Sequence, residues 1–371
     1  KTEESRISSI WSNHFSAVAN INQAMLFIDE NKGVFTSPEV HDVYKGEFLA
    51  LRAFLHFDIL RLFAPSAAMN NNKGLDALAI PYIDVFTNIA QSQLTVKEVL
   101  KKIETDLLAA KQLMKGKEEF KFSDTSDPLY NRKQRMNYYA VTALLARVYL
   151  WGNDKEAALK EAKEIIGEAG GESPASYELA NSAATTSDPM FNKELIFTLD
   201  VQKLKDNSDI YFTESFSSTS NILTMSSKGK TNIFNGSGLD NEFRNYWITP
   251  YSDGSSFVLK KYTGVNYIPM FKISELYLIA AECAQGKAAY DYLNKLRNHR
   301  GLSSIAPTDD LAGYIFQEYR REFIGEGQMF YYKRKAMETI GAENNIAHQD
   351  VNAVYNLPIP TVEIDFGNIK N

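Results

Sequence analysis

Cysteine is almost absent from this chain of 371 residues, because Cys283 is the only one. A single thiol excludes both an internal disulfide framework and a cysteine-based zinc site. The five histidines are scattered and show no His-x-x-x-His or Cys-His spacing, so the sequence predicts no metal site and no cofactor. No apolar run approaches the roughly 20 residues that cross a bilayer. The composition therefore gives no support to a disulfide-stapled or membrane-spanning class of protein.

An excess of basic residues is also missing. The chain has 40 Lys and Arg against 46 Asp and Glu, which gives a formal net charge of −6. A surface that follows nucleic-acid phosphates needs clustered cations, so this balance argues against a nucleic-acid partner. Tryptophan is rare, with 3 residues, whereas Tyr and Phe number 20 and 22. The length suits one large domain or two ordinary ones.

The longest helical pattern lies at residues 40–65. Apolar side chains recur there at steps of three and four, and four further aromatic or leucine residues widen the stripe until most sides are apolar. Such a helix must be covered by other helices, and Pro65 ends it because proline lacks a backbone donor. Glu47, Arg52 and Asp58 are embedded in this face. We expect them to form interhelical ion pairs or to reach solvent along the helix surface.

Other segments show the same periodicity, and one has a capping signal. Thr95 with Glu98 three residues later has the spacing of a capping box. Short alternating runs at 194–199 and 256–262 predict strands. Helices are predicted for residues 9–30, 95–114, 135–151, 154–169, 273–284, 290–300 and 311–335.

The chain changes character over residues 170–270. This stretch is rich in Ser, Thr, Asn, Asp and Gly and has only short apolar runs. It is too long for a passive linker, and long irregular segments of this kind usually bind something.

Several short motifs then occur in a characteristic order. They are Ala19-Asn20, Glu47-Phe-Leu-Ala-Leu-Arg52, Ala281-Glu282, Leu293-Asn294 to Gly301-Leu302, Arg320-Arg321-Glu322-Phe323 and Pro358-Ile-Pro360. Together they resemble the SusD/RagB family of outer-membrane lipoproteins. The chain departs from the family pattern at Met329 and Tyr332, where the family commonly has an arginine and then an aspartate.

The resemblance implies a mainly α fold, in which four tetratricopeptide-like helical hairpins carry a packed irregular part. It implies one SusD-like domain, with a helical scaffold at 1–169 and 271–335, a loop-rich ligand-binding part at 170–270 and an extended segment at 336–371. It further implies a cell-surface lipoprotein that serves a SusC-like TonB-dependent transporter. Because the chain starts at Lys1 and not at a start methionine, we expect a signal peptide and lipid anchor to lie outside this sequence.

Catalysis has one candidate pattern. Glu318, Glu322 and Glu326 fall on one helical face and could imitate a carboxylate pair for glycoside hydrolysis. Arg320 and Arg321 lie between them, so we interpret the carboxylates as members of structural ion pairs. The sequence predicts a binding protein and not an enzyme.

Ligand contacts are predicted in the loop that follows residue 240. A sugar presents an apolar C–H face with a hydroxyl rim, so its site needs aromatic rings and nearby polar groups. Trp247 and Tyr251 are the predicted stacking platforms, and Asn245 and Asp253 are the predicted hydrogen-bonding residues. The alternative for Trp247 is packing of the loop onto the helices with its N–H group satisfied.

Three functions remain open from the sequence. The first is cell-surface binding of an oligosaccharide and its delivery to the transporter. The second is an oligopeptide-binding lid of a RagA-like transporter. The third is a helical-repeat scaffold that binds proteins and no small ligand.

Overall fold

A computed structural model describes residues 2–67, 73–117, 126–168, 171, 173, 175, 177–182, 187–212, 222–234, 241–332, 355–367 and 369. The chain divides into two compact units. The first comprises Lys1–Arg132, Met136–Asp154 and Phe330–Asn371, and the second comprises Lys133–Arg135 and Lys155–Met329. This division by packing differs from the predicted division by composition, because helical and loop-rich segments share the second unit.

Helices dominate both units, and the principal ones are numbered here in chain order. They are α1 (Glu3–Ile28), α2 (Pro38–Phe63), α3 (Val96–Met114), α4 (Tyr138–Trp151), α5 (Lys155–Ile166), α6 (Leu204–Phe212), α7 (Ser227–Phe234), α8 (Ile273–Cys283), α9 (Lys287–His299), α10 (Leu311–Glu322) and α11 (Thr361–Phe366). Each of the eight predicted helices has a counterpart among them. None of the helices in the described ranges has both the length and the apolar content to cross a membrane.

Among the described residues, the strands lie in the second unit and form two small antiparallel sheets. Strand β1 (Leu195–Asp200) pairs with β5 (Tyr267–Lys272). Strands β2 (Thr224–Ser226), β3 (Ile248–Pro250) and β4 (Ser256–Leu259) form a sheet in the order β2-β4-β3. The predicted strands at 194–199 and 256–262 are thereby confirmed as β1 and β4.

Helix α2 is the centre of the first unit and packs against α1 and α3. Ser37 caps its start by accepting a hydrogen bond from the backbone N–H of Val40, and Pro38 occupies the first turn, where no intrahelical donor is needed. Residues on all sides of the helix are buried, as its apolar pattern predicts. Glu47 and Arg52 form the expected ion pairs with Arg132 and Asp106, whereas Asp58 pairs within the helix with Arg61.

Helices α3 and α4 complete the first unit's core. The predicted capping box is confirmed: the Thr95 side chain accepts from the Glu98 N–H, and Glu98 accepts from the Thr95 N–H at 2.8 Å. Trp11 and Trp151 are buried in the first unit. The predicted pair of helices at 135–169 is split between units, because α4 packs on α3 in the first unit and α5 packs on α8 in the second.

One non-helical segment of the first unit accepts several side-chain hydrogen bonds at its backbone carbonyls. Residues 82–85, called the pinned segment here, receive hydrogen bonds from side chains of α1 and α2. The Asn22 amide donates to the Ile83 carbonyl at 2.9 Å, and the Arg52 guanidinium donates to the Asp84 carbonyl at 2.9 Å. The pinned segment leads into Phe86 and Ile89, whose side chains are 52% and 71% exposed.

Helix α8 is the centre of the second unit and contacts α5, α9 and α10. Nearly all of its residues are buried, including Cys283 at its end. Consecutive helices α8 and α9 pack together, as α1 and α2 do in the first unit. Such pairing of neighbours along the chain is typical of tetratricopeptide-type arrays.

Two predicted elements differ from the structure. The helix predicted over 311–335 ends at Glu322, because Gly325 and Gly327 adopt φ angles of 75° and 74°, which interrupt a right-handed helix. The C-terminal segment predicted to be extended includes the short helix α11, which begins directly after Pro360. Residues 336–354 of that predicted segment lie outside the described residues.

Candidate functional site

The candidate loop begins at a network of buried charges in the second unit. The Arg244 guanidinium donates to Glu242 at 2.6 Å, to Glu318 at 2.6 Å and to Glu322 at 2.9 Å. All four side chains are fully buried. Burial alone would lower the pKa of Arg244, but the neighbouring carboxylates outweigh it and raise that pKa well above its ordinary value. The guanidinium therefore anchors the start of the loop to helix α10.

The same network extends to the two-stranded sheet, because Lys272 is the last residue of β5. Arg300 joins Glu194 at 2.7 Å to Glu322 at 3.1 Å, and Lys272 lies 2.8 Å from Glu326. The described residues of this buried charge network comprise five carboxylates and six cations, which are Glu194, Glu242, Glu318, Glu322, Glu326, Arg244, Arg297, Arg300, Arg321, Lys261 and Lys272.

The network confirms the structural interpretation of Glu318, Glu322 and Glu326. Their partners come mainly from other elements, because Arg321 contributes one pair to Glu318 while Arg320 bonds to Gln317 and to the Asn232 carbonyl. Each carboxylate is committed to cations inside the protein core. A carboxylate in that position cannot reach a glycosidic bond, so the arrangement supplies no acid–base pair.

Lys261 is a cation of the network whose side chain is almost completely buried. Its ammonium bonds to the Glu322 carbonyl at 3.2 Å and to the Glu326 carboxylate, and it lies 3.9 Å from the Trp247 ring centroid. Burial is the main cause that lowers the pKa of Lys261 to about 8, and the nearby Lys272 acts in the same direction.

Gly301 allows the loop to approach helix α9. Its φ angle is 78°, and an added Cβ would lie 2.1 Å from the Asn241 carbonyl oxygen. The chain needs glycine here both for the left-handed backbone and for this close approach.

We expect Gly301→Ala to lower the free energy of unfolding by about 2–4 kcal/mol, because backbone strain and a steric clash add together. Gly264→Ala is a matched control, since Gly264 has a φ angle of 77° but open space around its Cβ position. The control should lose only about 1 kcal/mol. Urea unfolding of both variants measures the difference, and equal losses would show that the close approach at Asn241 has no energetic weight.

Trp247 is buried inside the second unit, as the packing alternative for this residue predicts. Its side chain is 1% exposed, and its indole N–H donates to the Pro189 carbonyl at 2.9 Å. The ring lies between Phe191, with centroids 5.3 Å apart, and the Lys261 ammonium. The ring therefore has no face open to a ligand in this structure.

Tyr246 is the aromatic residue of the loop that faces solvent. Residues 243–247 form a 3₁₀ turn, in which positions three apart share a side. Arg244 and Trp247 are both buried, so Tyr246 points outwards and is 40% exposed. The Lys260 ammonium lies 5.4 Å from its ring centroid. The ligand residues predicted from the sequence did not include Tyr246, although the spacing of three between Arg244 and Trp247 could have identified it.

The other predicted ligand residues are close to Tyr246 in sequence and lie in two different turns. Asn245 is in the same turn, and its side-chain oxygen is buried without a hydrogen-bond partner among the described residues. Tyr251 and Asp253 lie in the turn between β3 and β4, where the Tyr251 N–H donates to the Ser256 carbonyl. Asp240, at the start of the predicted loop, lies outside the described residues.

Asp253 organises its turn. Its carboxylate accepts from the Ser256 hydroxyl at 2.6 Å and from the N–H groups of Ser255 and Ser256 at 2.8 and 2.7 Å. These hydrogen bonds, led by the Ser256 hydroxyl, lower the pKa of Asp253. The carboxylate is exposed and stays ionised at neutral pH, so it can still accept a hydrogen bond from a ligand.

The three-stranded sheet connects the two places. Thr224 and Thr249 stand opposite Val258, and Ser226 stands opposite Ser256. Residues paired in this way share one face, here called the hydroxyl face and defined by Thr224, Ser226, Thr249 and Ser256 around the buried Val258. Tyr246 lies near Lys260 at one end of β4, and Asp253 lies at the other. The four residue steps from Ser256 to Lys260, just beyond β4, span about 13 Å.

The arrangement defines a class of protein: a helical scaffold that carries a small, loop-framed polar surface with an exposed tyrosine, Tyr246. The chain belongs to the SusD/RagB family. Residues 1–150 match the SusD-like_3 model, described as "Starch-binding associating with outer membrane", and residues 229–365 match the SusD family model. The fold predicted from the sequence motifs is confirmed as mostly helical and SusD-like.

Solved structures of the same superfamily show this fold along nearly the whole chain. A SusD superfamily protein from Bacteroides thetaiotaomicron is 21% identical, with a TM-score of 0.75 over 97% of this chain and 84% of its own. A surface glycan-binding protein A from Bacteroides uniformis is 18% identical, with a TM-score of 0.72 over 96% and 83%. A laminarin-binding SusD-like protein is 19% identical, with a TM-score of 0.69 over 98% and 84%. A comparison with curated proteins finds no match.

Proposed function

We propose that this protein binds an oligosaccharide at the cell surface and delivers it to a SusC-like TonB-dependent transporter in the outer membrane. Family membership carries the proposal, because the model that matches residues 1–150 is described as starch-binding and outer-membrane associated. The names of two similar structures, a laminarin-binding protein and a surface glycan-binding protein, point to the same ligand class. The protein acts by binding and not by catalysis.

We place the ligand along the hydroxyl face, between Tyr246 and the Tyr251–Asp253 turn. An exposed tyrosine ring can stack on the C–H face of a sugar, and serine and threonine hydroxyls can exchange hydrogen bonds with its rim. The buried oxygen of Asn245 has no hydrogen-bond partner in the described part of the chain, and leaving such an acceptor unpaired costs about 1–3 kcal/mol. A small rotation of Asn245 toward a ligand hydroxyl would recover part of this energy. A separation of about 13 Å favours an extended chain of sugars over a single one.

The transporter partner is supported by apolar residues exposed on the first unit. Phe27, Val85, Phe86 and Ile89 are each about half exposed or more, so their apolar side chains are available to contact a partner protein. A contact of this kind also suits the peptide-binding and scaffold alternatives. Titration with oligosaccharides and with short peptides separates the three, because a pure scaffold binds neither.

Tyr246→Ala should weaken oligosaccharide binding about tenfold, the loss of roughly 1.4 kcal/mol that is typical of truncating a contacting tyrosine. Tyr314→Ala is the matched control, because Tyr314 in α10 of the same unit is 36% exposed and its ring lies against the Arg297 guanidinium, 4.9 Å away. Isothermal titration calorimetry with an oligosaccharide that binds the unaltered protein measures both. If Tyr246→Ala binds as tightly as the control, the ligand does not lie on the hydroxyl face.

A further inference from the structure

The imidazole of His56 in helix α2 is bonded at both nitrogens and almost completely buried. Its Nδ1 lies 2.8 Å from the Arg52 carbonyl oxygen, and its Nε2 lies 2.9 Å from the backbone nitrogen of Ile83 in the pinned segment. A carbonyl only accepts and an amide N–H only donates, so Nδ1 carries the hydrogen and Nε2 offers its lone pair. A proton added to Nε2 would point directly at the Ile83 N–H.

The ring is also enclosed by neighbours. Tyr82 of the pinned segment stacks on it, with centroids 3.9 Å apart and planes inclined by 22°. Phe15 of α1 meets it edge-on at 5.9 Å. A bare imidazolium in this space would lose its hydration without gaining an acceptor for its new hydrogen.

The charges around the ring do not favour a proton. Helix α2 contributes the Arg52 guanidinium, α3 contributes Lys102 and Asp106, and the pinned segment contributes Asp84 and the Tyr82 hydroxyl. Helix α1 contributes Phe15 and Asn22, which do not titrate. Asp106 is already engaged, because it accepts two bonds from Arg52 at 2.7 Å and one from Tyr82 at 2.5 Å. Burial, with a further contribution from Arg52, lowers the pKa of His56 to about 3.

We propose that the pinned segment opens in a proton-coupled manner, because Nε2 of His56 can take up a proton only after Ile83 has left the ring. In the opened form the imidazole meets water and titrates near its ordinary pKa of about 6.5. Below that value, each pH unit favours the opened form about tenfold, while the closed form stays unprotonated. Because the pinned segment leads into the exposed Phe86 and Ile89, acid would move an apolar surface of the first unit.

The opening constant should rise about a hundredfold between pH 7 and pH 4.5, because pH 4.5 lies about two units below the pKa of His56 in the opened form. Asp84 contributes little in this range, because the Lys102 ammonium outweighs the effect of burial and lowers the pKa of Asp84. The readout is amide hydrogen exchange of Ile83, corrected for the intrinsic pH dependence of exchange, on the full chain. The protection factor of Ile83 should fall about a hundredfold over this range.

His56→Gln removes the titrating group and should make Ile83 protection independent of pH. His14→Gln is the matched control, because His14 bonds to the Ile10 carbonyl of its own helix and should leave the pH dependence intact. A fall in protection that persists in His56→Gln, or constant protection in the unaltered protein, would overturn the proposal.

A second measurement serves if His56→Gln does not fold. Nitrogen NMR shifts of the imidazole in the unaltered protein should show the neutral Nδ1–H form down to pH 4.5. A ring that titrates near pH 6.5 while Ile83 stays protected would equally overturn proton-coupled opening.

Discussion

Glu322→Gln should lower the free energy of unfolding by about 3–5 kcal/mol, which is typical for removing one partner from a buried ionic network. The Glu322 carboxylate accepts from Arg244 at 2.9 Å, from Arg300 at 3.1 Å and from Lys272 at 3.4 Å. A neutral amide cannot balance three buried cations, and its own NH₂ group would face donors. Urea unfolding measures the loss.

The matched control is Glu178→Gln. It makes the same chemical change in the ion pair with Lys193, in which both side chains are largely exposed. Exposed pairs contribute about 0–1 kcal/mol, so this variant should unfold almost as the unaltered protein does. A loss at Glu322 no larger than that of the control would show that the network is not essential to the second unit.

The same carboxylate makes stability depend on pH in a defined direction. Burial opposes ionisation of Glu322, but Arg300, Lys272 and Arg244 outweigh it and hold its pKa well below the ordinary value of 4.5. The contribution of Glu322 is therefore complete above pH 4.5 and is lost as the pH falls toward the lowered value. The unfolding free energy of Glu322→Gln should accordingly fall less steeply below pH 4.5 than that of the unaltered protein.

Arg52→Met should destabilise the first unit by a similar amount, about 3–5 kcal/mol. The guanidinium makes two bonds to Asp106 and one each to the Asn22 side chain and the Asp84 carbonyl. Among the described residues, its removal leaves the buried Asp106 carboxylate with the Tyr82 hydroxyl as its remaining donor. It also removes one of the contacts that hold the pinned segment.

Two further variants identify the cause. Lys45→Met alters another cation on α2, which pairs with the half-exposed Asp29, and should cost at most about 1 kcal/mol. Combining Arg52→Met with Asp106→Leu removes both charges and should recover part of the loss, because an apolar replacement of a buried pair is often tolerated. If the two losses simply add, the Arg52–Asp106 pair is not the source of the stability.

The sequence was sufficient to predict those helices whose buried apolar residues recur with a helical period. Helix α2 could be predicted because its apolar residues surround it, and α3 because Thr95 and Glu98 form a cap within four residues. The end of α10 at Glu322 was missed because two glycines with positive φ interrupt an otherwise helical pattern. The short helices α6, α7 and α11 were also missed, since they contain too few turns to show a period.

The candidate site was predicted less completely, for a physical reason. A tryptophan in a polar loop suits either stacking on a ligand or packing in the core. For Trp247 the choice depends on its contacts with Pro189, Phe191 and Lys261. The first two are distant in the chain, and strands β3 and β4 separate the third from Trp247. Asp253 shows the same limit, because its hydrogen bonds to Ser255 and Ser256 depend on the turn it forms. Tyr246 became visible only when the 3₁₀ turn had placed Arg244 and Trp247 on its inner side.

The buried charge network also determines when the second unit can form during protein synthesis. Glu194 precedes its partner Arg300 by 106 residues, and Arg244 precedes Glu318 by 74 and Glu322 by 78. At about 5–20 residues per second, Glu194 leaves the ribosome several seconds before Arg300. During that interval the nascent loops carry charges whose partners have not been made. The loops that frame the hydroxyl face can therefore take their final shape only after translation has passed helix α10.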